Sequence, residues 1–166
     1  ETARLLEAAG HRIEPMPLPV EKWFIEDFTM YWGFLAFMVG HTGRFTLSPH
    51  FDRSALDPFS QGLAGVFRKK FLKAPRMFWR LRRTEQLYAE RIRGYDAVLS
   101  PVLAHAVPPL GHLAPDVPFD IVFERLLRYA AFTPLNNTSG TPAISLPMGA
   151  CGNGLPIGMQ LAGTHG

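Results

Sequence analysis

The residue types that most often perform catalysis or bind metals form no familiar catalytic pattern in this chain. The six histidines (positions 11, 41, 50, 105, 112 and 165) include no pair at i, i+4 spacing and no His-Glu-x-x-His sequence, so a metal site is not predicted. The sequence also lacks a Gly-x-Ser-x-Gly elbow, a P-loop and a Gly-x-Gly-x-x-Gly stretch. Two candidate nucleophiles stand out, Ser139 in Asn-Thr-Ser-Gly and Cys151 in a glycine-rich turn. We interpret Ser139 as a turn residue. We interpret Cys151 as a thiol without a catalytic role, because no histidine lies near it in the sequence.

The composition indicates a folded domain, or a large piece of one, from a reducing compartment. Of the 166 residues, 47% are hydrophobic and 12% are aromatic, which is ample for a core. A single cysteine excludes an internal disulfide and a cysteine-based zinc site, so we expect a cytoplasmic location. The longest apolar run, Phe28–Gly40, is shorter than the roughly 20 residues that a bilayer span needs. A transmembrane segment is therefore not predicted.

Positive charge is concentrated in residues 68–93, which hold ten lysines and arginines against Glu85 and Glu90. Aromatic residues are interleaved among these cations, a pattern that could serve a membrane surface or a nucleic acid. The alternative is the solvated face of a helix, because apolar residues recur at helical spacing on the other side. Those apolar residues are Met77, Leu81, Tyr88 and Ile92. We favour the amphipathic helix and expect no nucleic-acid partner.

The first half of the chain is predicted to be mainly helical. A helix is expected from Glu1 to Ala9, ended by Gly10 in the left-handed conformation, with a short strand over residues 11–16. Residues 20–45 are rich in aromatic side chains, and apolar residues at 24, 28, 31, 35 and 38 predict a helix that ends at Gly40. The chain begins without Met inside a helical pattern and stops directly after a strand pattern. We therefore expect it to be part of a longer polypeptide.

The last third is predicted to alternate strands and helices, which indicates the α/β class. Asp120 is a suitable N-cap for a helix over residues 121–132. Asn153-Gly154 predicts a hairpin turn between the last two strands. In the final strand, period-two alternation should turn Ile157, Met159 and Leu161 toward the core and Gln160 away from it. The three expected strands are Tyr95–Ser100, Ala143–Leu146 and Pro156–Leu161.

Several short motifs, in order along the chain, resemble the C-terminal part of the amidase-signature family. An alanine-rich helix ends in Gly10-His11, and Tyr95-Asp is followed by a strand that ends in Ser-Pro101. Asn137-x-x-Gly140-x-Pro142 and the run Gly154-Leu-Pro-Ile-Gly-Met-Gln160 follow. Each motif is short, but their order is fairly specific. The resemblance covers residues 1–19 and 86–166.

The resemblance implies an amidase, a hydrolase that cuts a carboxylic amide to an acid plus ammonia or an amine. It implies a mixed, twisted β-sheet flanked by helices, a Ser-Ser-Lys catalytic triad, and no cofactor or metal. No Gly/Ser-rich run with paired serines occurs in this sequence, so no catalytic residue is assigned to it. The expected partners are a small-molecule amide and the remainder of the amidase chain, with a homodimer left open. The alternative within the family is the A subunit of a tRNA-dependent amidotransferase.

The same resemblance implies one incomplete domain in three parts. Residues 1–19 form a helix and a strand, residues 20–93 a variable aromatic and basic helical region, and residues 94–166 the sheet-forming part. The variable region is the part of such a fold where substrates are distinguished.

Two places in the sequence are candidates for a substrate-pocket wall. Phe28, Tyr31 and Trp32 belong to the aromatic stretch, and pockets are lined mainly by apolar and aromatic groups. Trp32 lies about 100° around the helix from Tyr31, so one face could pack while its neighbour lines a cavity. Ordinary core packing is the alternative for these rings. The other candidates are Asn137, Thr138 and Gly140, for which the alternative is a purely structural turn.

Overall fold

The structure, a computed structural model, describes residues 1–165. Within them the chain forms seven α-helices and three β-strands, which confirms the α/β class. Two short 3₁₀ turns, Arg53–Ala55 and Phe71–Lys73, lie among the helices. The helices are α1 (Thr2–Ala8), α2 (Phe24–Thr46), α3 (Pro58–Lys70), α4 (Ala74–Arg82), α5 (Thr84–Arg91), α6 (Phe119–Tyr129) and α7 (Thr133–Ser139).

The described strands form one antiparallel sheet in the order β1-β3-β2, where β1 is Val98–Pro101, β2 is Ala143–Ala150 and β3 is Pro156–Ala162. A hairpin joins β2 to β3, as the Asn-Gly sequence predicts. Gly154 has φ +80°, and the Cys151 amide donates to the Leu155 carbonyl at 2.7 Å. The register shifts between Pro147 and Gly149, so β2 carries an irregularity near its end.

The chain divides into two compact units, each with buried residues of its own. Unit 1 consists of residues 1–21, 83–108 and 128–166, and unit 2 of residues 22–82 and 109–127. In unit 1 the buried residues include Tyr88, Ile92, Leu135 and Ala162. In unit 2 they include Phe24, Met30, Leu63, Phe67, Met77, Leu81 and Val122.

In unit 2, α2 packs against α3 and α4. The α2–α3 crossing is close because Gly33 has no side chain: a Cβ built there would lie 2.5 Å from the Leu63 carbonyl oxygen. The helix runs through Gly40 to Thr46, so the expected end at Gly40 was wrong. Leu35, one of the apolar residues whose spacing predicts this helix, is 43% exposed. The large apolar residues of α2 occur on all sides of the helix, so their spacing alone does not show which side is buried.

The basic stretch is divided between the end of α3, α4 and α5. Its apolar residues Met77, Leu81, Tyr88 and Ile92 are buried, which confirms the amphipathic interpretation. Some of its cations pair with acids: both Lys70 and Lys73 contact Glu26. Because of these two lysines, the pKa of Glu26 is lowered, Lys70 having the larger effect. In residues 1–165, no helix combines the length and the apolarity needed to cross a membrane.

Two local expectations in unit 1 were wrong. Residues 11–16 form no strand, and Pro15 lacks the backbone N–H that a sheet ladder requires. In β3, the buried face is the opposite of the expected one. Gln160 is only 8% exposed and Ala162 3%, whereas Ile157 is 40% exposed and Met159 and Leu161 are half-buried. The period-two alternation holds, but its phase is set by polar partners of Gln160 that apolarity does not reveal.

Candidate functional site

Five half-buried rings in unit 2 form what we call the aromatic wall: Phe28, Trp32, Phe59, Phe119 and Phe123. Trp32 lies at its centre, with its ring centroid 6.4 Å from Phe28, 5.5 Å from Phe59 and 6.4 Å from Phe123. Phe119 links the remaining members, at 5.6 Å from Phe59 and 5.3 Å from Phe123. These distances are typical of favourable aromatic pairs. The wall is a continuous apolar surface that keeps part of each ring accessible.

Helical spacing and one glycine build this wall. Phe28 and Trp32 are four residues apart on α2, and Phe119 and Phe123 are four residues apart on α6, so each pair shares a helix face. Gly62 makes room on α3, because a Cβ at this position would lie 2.3 Å from the Phe119 ring. A larger residue at position 62 would displace Phe119 from the wall.

Tyr31, the third aromatic candidate, belongs to a different cluster. Its ring lies 6.2 Å from Phe34 and 6.2 Å from Phe78, and the Phe34 and Phe78 rings are 5.1 Å apart. The structure thus brings Phe28 and Trp32 together and places Tyr31 on an adjacent side of α2. This separation agrees with the roughly 100° that each residue adds around a helix.

The Asn137 corner of unit 1 is the end of helix α7. Gly140 has φ +71° and caps the helix, with its amide donating to the Asn136 carbonyl at 2.9 Å. The Thr138 hydroxyl donates to the Pro134 carbonyl at 2.8 Å and is half-buried. Asn137 and Gly140 are exposed. Of the three residues, Asn137 is the one with an exposed polar side chain.

Beneath this corner lies a polar network of Asn136, Ser139, Thr141 and Gln160, and the sequence did not predict that these four residues meet. The Gln160 amide donates to Asn136 Oδ1 at 2.8 Å, and Asn136 Nδ2 donates to Thr141 Oγ1 at 3.1 Å. The Ser139 and Thr141 hydroxyls are 2.8 Å apart. Ser139 is only 4% exposed, so its hydroxyl is engaged within the fold. Ser139 was interpreted as a turn residue; the structure places it at the end of α7, where these contacts give it a structural role.

Tyr88 adjoins this network. Its hydroxyl donates to the Ala162 carbonyl at 3.4 Å. Burial raises the pKa of Tyr88 above its usual value of 10.0, and a hydrogen bond with the Asn136 side chain partly offsets that effect. The phenol is therefore protonated at neutral pH and acts as a donor rather than as a base.

Neither of two large cavities among the described residues is lined by the sequence-predicted candidates. One, of about 540 Å³, lies in unit 2 against α2, the turn after it and α3, and we call it the α2–α3 cavity. The other, of about 620 Å³, lies in unit 1 along residues 11–14 and 93–97. Within residues 1–165, no group of three or more His, Cys, Asp or Glu side chains is arranged to hold a metal ion.

Comparison with known proteins identifies the family. The Amidase family model matches residues 1–166. A Mycobacterium leprae protein named as the amidase AmiC is 40% identical over 167 residues, which span 100% of this chain and 36% of that protein. The 6-aminohexanoate-cyclic-dimer hydrolase of a Pseudomonas species is 35% identical over 79 residues, or 44% of this chain and 16% of that enzyme.

The fold agrees with this relationship. The solved structure of a 6-aminohexanoate cyclic dimer hydrolase in complex with substrate superposes with a TM-score of 0.78 at 22% identity. The match covers 99% of this chain and 36% of that structure. This chain thus spans about a third of the length of these proteins. With a family match over every residue and a relative aligned along the whole sequence, the chain belongs to the amidase family.

Proposed function

We propose that this chain is the C-terminal part of a single amidase domain that hydrolyses a carboxylic amide to an acid plus ammonia or an amine. The observation that carries the proposal is the family match over residues 1–166, together with the 36% share of the relative's length. The remainder of the amidase chain supplies the catalytic serine, while this part supplies scaffold and pocket wall. The reaction requires no cofactor.

The aromatic wall is the part of this chain that we assign to substrate binding. Its rings are half-buried rather than sealed, and apolar and aromatic groups are what most small-molecule pockets present to a ligand. Phe28 and Trp32 belong to it directly, whereas Tyr31 supports α2 from the adjacent cluster. Asn137, with Thr138 and Gly140, offers a second substrate-facing edge because Asn137 is exposed and the neighbouring Asn136 side chain is held by the polar network.

The decisive experiment compares hydrolysis of a series of aliphatic and aromatic amides by the intact protein and by its Trp32→Ala variant. If Trp32 contacts the substrate, the ratio of kcat/KM between a bulky and a small amide should change by about tenfold, or roughly 1.4 kcal/mol. Trp79→Ala is the matched control, because Trp79 is a 59% exposed indole outside the wall. It should leave that ratio unchanged.

Two results would contradict these assignments. Unchanged relative rates combined with a stability loss of roughly 3–5 kcal/mol would mark Trp32 as ordinary core. Absence of hydrolysis with every amide, alongside transfer of ammonia to an acylated tRNA, would instead identify the amidotransferase A subunit.

The proposed enzyme acts in a reducing, cytoplasmic compartment on a small-molecule amide. This location is supported by the single cysteine, Cys151, which is free and half-buried. A homodimer is compatible with the proposal, and size-exclusion chromatography with light scattering on the intact protein measures the oligomeric state.

A further inference from the structure

The α2–α3 cavity in unit 2 has a charge pattern that the proposed hydrolysis does not explain. It has a volume of about 540 Å³ and is lined on its polar side by His41, Arg53 and Arg68. None of the described residues that line it is an aspartate or a glutamate. A concave site with two guanidinium groups and no lining carboxylate attracts anions.

The nearest acid in the sequence is already engaged elsewhere. Asp52 lines a smaller adjoining cavity, which shares Arg53 with the α2–α3 cavity, but Asp52 does not line the α2–α3 cavity itself. One of its oxygens accepts hydrogen bonds from the Ser54 amide at 2.8 Å and from the Ser54 hydroxyl at 2.7 Å. These bonds to Ser54 lower the pKa of Asp52, with a smaller contribution from Arg44. The Arg53 and Arg68 guanidinium groups therefore have no lining acid with which to pair.

Arg53 contacts His41 of α2, and the His41 ring in turn contacts the Phe37 backbone. His41 Nδ1 is 2.8 Å from the Phe37 carbonyl oxygen, which can only accept, so Nδ1 carries the proton. Arg53 Nη1 lies 3.4 Å from His41 Nε2 and can only donate, so Nε2 is the acceptor. The imidazole also stacks on the Phe37 ring at 3.8 Å. The contact with this fixed imidazole favours one orientation of the exposed Arg53 guanidinium, which reduces the entropic cost of binding a ligand there.

Apart from Ser54 and Gln61, the remaining lining residues are apolar or glycine, and they narrow the class of ligand. Phe37, Leu56 and Ala64 contribute hydrocarbon surface. Gly40 leaves space at the wall, because a Cβ there would lie 3.6 Å from both Arg53 Nε and Leu56 Cδ1. Pockets of this size with apolar walls and a few polar groups bind organic molecules of several carbons. An inorganic ion alone would leave the apolar surface unused.

From this combination we propose that the α2–α3 cavity binds a small organic carboxylate, with Arg53 and Arg68 contacting the carboxylate and the apolar side enclosing its hydrocarbon chain. The guanidinium fork matches the two oxygens of a carboxylate. The inference does not depend on the proposed hydrolase activity, because it concerns binding and is tested without turnover.

The test is a ligand-observed NMR titration of the intact protein with hexanoate, with 1-hexanol as an uncharged analogue and with inorganic phosphate. Hexanoate should bind the unmodified protein at least tenfold more tightly than either of the other two. Arg53→Gln and Arg68→Gln should each weaken hexanoate binding by about tenfold and leave hexanol binding unchanged. Arg68→Lys keeps the charge but loses the two-pronged guanidinium geometry. Its affinity for hexanoate should lie between those of the unmodified protein and Arg68→Gln.

Two further variants separate this cavity from other sites. Gly40→Met should block hexanoate binding by filling the cavity, while both arginines are retained. Lys69→Gln is the matched control, because it removes one exposed positive charge from α3 next to Arg68 but outside the lining. It should change the affinity by less than twofold. Thermal denaturation of each variant confirms that the fold is retained.

Three outcomes would overturn the proposal. Equal binding of hexanoate and hexanol would show that the guanidinium groups take no part. Equal effects of Lys69→Gln and Arg68→Gln would show a response to overall charge only. Hexanoate binding that survives both arginine variants and Gly40→Met would place the ligand at another site, even if the protein hydrolyses amides.

Discussion

At the scale of single residues, the Asp57 carboxylate caps the start of α3. Asp57 precedes α3 and accepts a hydrogen bond from the Ser60 amide at 2.9 Å, while the Ser60 hydroxyl donates to its other oxygen at 2.7 Å. Its negative charge also faces the positive end of the helix macrodipole. These hydrogen bonds from Ser60 lower the pKa of Asp57 below 3.8. The ionised carboxylate therefore stabilises the folded state.

We expect Asp57→Ala to destabilise the protein by about 1 kcal/mol near neutral pH, the usual effect of removing an N-cap. Because the folded pKa is the lower one, this stabilisation is fully present above the unfolded value near 3.8 and is lost as the pH falls through the folded pKa. Urea denaturation at several pH values measures the difference. Asp57→Asn is the control, since it keeps a capping oxygen but cannot titrate. A gap between wild type and Asp57→Ala that widened on acidification would contradict this account.

Gln160 shows how a polar residue can determine which face of a strand is buried. Its amide donates to Asn136 Oδ1 at 2.8 Å. We expect Gln160→Ala to cost about 1–3 kcal/mol, because it leaves the oxygen of the half-buried Asn136 side chain without its donor. Gln86→Ala is the control, because Gln86 is exposed on α5 and its side chain donates a surface hydrogen bond to Glu90 at 2.9 Å. That variant should stay within about 0.5 kcal/mol of wild type. Equal urea midpoints for the two variants would show that the polar network contributes nothing.

At the scale of elements, the α2–α3 crossing is the contact on which the aromatic wall depends. Trp32 on α2 meets Phe59 on α3, and Gly33 lets the two helices approach beside this contact. The backbone around Leu63 lies so close that there is no flexible group to move aside. A change in the distance between α2 and α3 would therefore also change the contact between Trp32 and Phe59.

Gly33→Ala should destabilise the protein by about 1–3 kcal/mol, the typical cost of overpacking a tight contact. The new methyl group would meet the Leu63 carbonyl at 2.5 Å. Gly65→Ala on α3 is the matched control, because a Cβ there meets nothing within 4 Å. It should be neutral or stabilising by up to about 1 kcal/mol, since alanine is the better helix former. Thermal denaturation distinguishes the two, and equal effects would show that α2 and α3 are not closely packed at Gly33.

Local signals predicted the elements better than they predicted the buried faces. Gly10, with φ +93°, follows α1 as expected, and the Asn-Gly turn joins β2 to β3. Ile157 was placed on the wrong face because burial depends on the partner element, and the sequence near this residue does not describe that partner. Gln160 could have been recognised only by knowing that α7 brings Asn136 to it. In the same way, Arg53 and Arg68 are fifteen positions apart and share a cavity only through the α2–α3 packing.

At the scale of the whole molecule, this chain provides two buried cores but no assigned catalytic set. Tyr88 and Ile92 are almost fully buried in unit 1, as are Met30 and Met77 in unit 2. Both cores lie in a chain that spans about 36% of the length of its M. leprae relative. Its short motifs nonetheless resemble those of the family and occur in the same order along the chain. The proposed function accounts for the family motifs and for the lack of an assigned catalytic set. In it, this chain supplies scaffold and pocket wall, and the remainder of the amidase chain supplies the nucleophile.

Expressed as residues 1–166 alone, the chain should therefore show no amide hydrolysis, whereas the intact protein should turn over the same amides. Ser139, the most tempting serine, is 4% exposed, and its hydroxyl is 2.8 Å from that of Thr141, so an amide carbonyl cannot reach it. Near-UV circular dichroism establishes whether the expressed chain is folded, and release of ammonia or amine measures turnover. Ser139→Ala in the intact protein should lower stability but leave kcat within about threefold, since no interaction made only in the transition state is removed. Turnover by residues 1–166 that disappears with Ser139→Ala or Ser145→Ala would place the nucleophile in this chain and refute the proposed division.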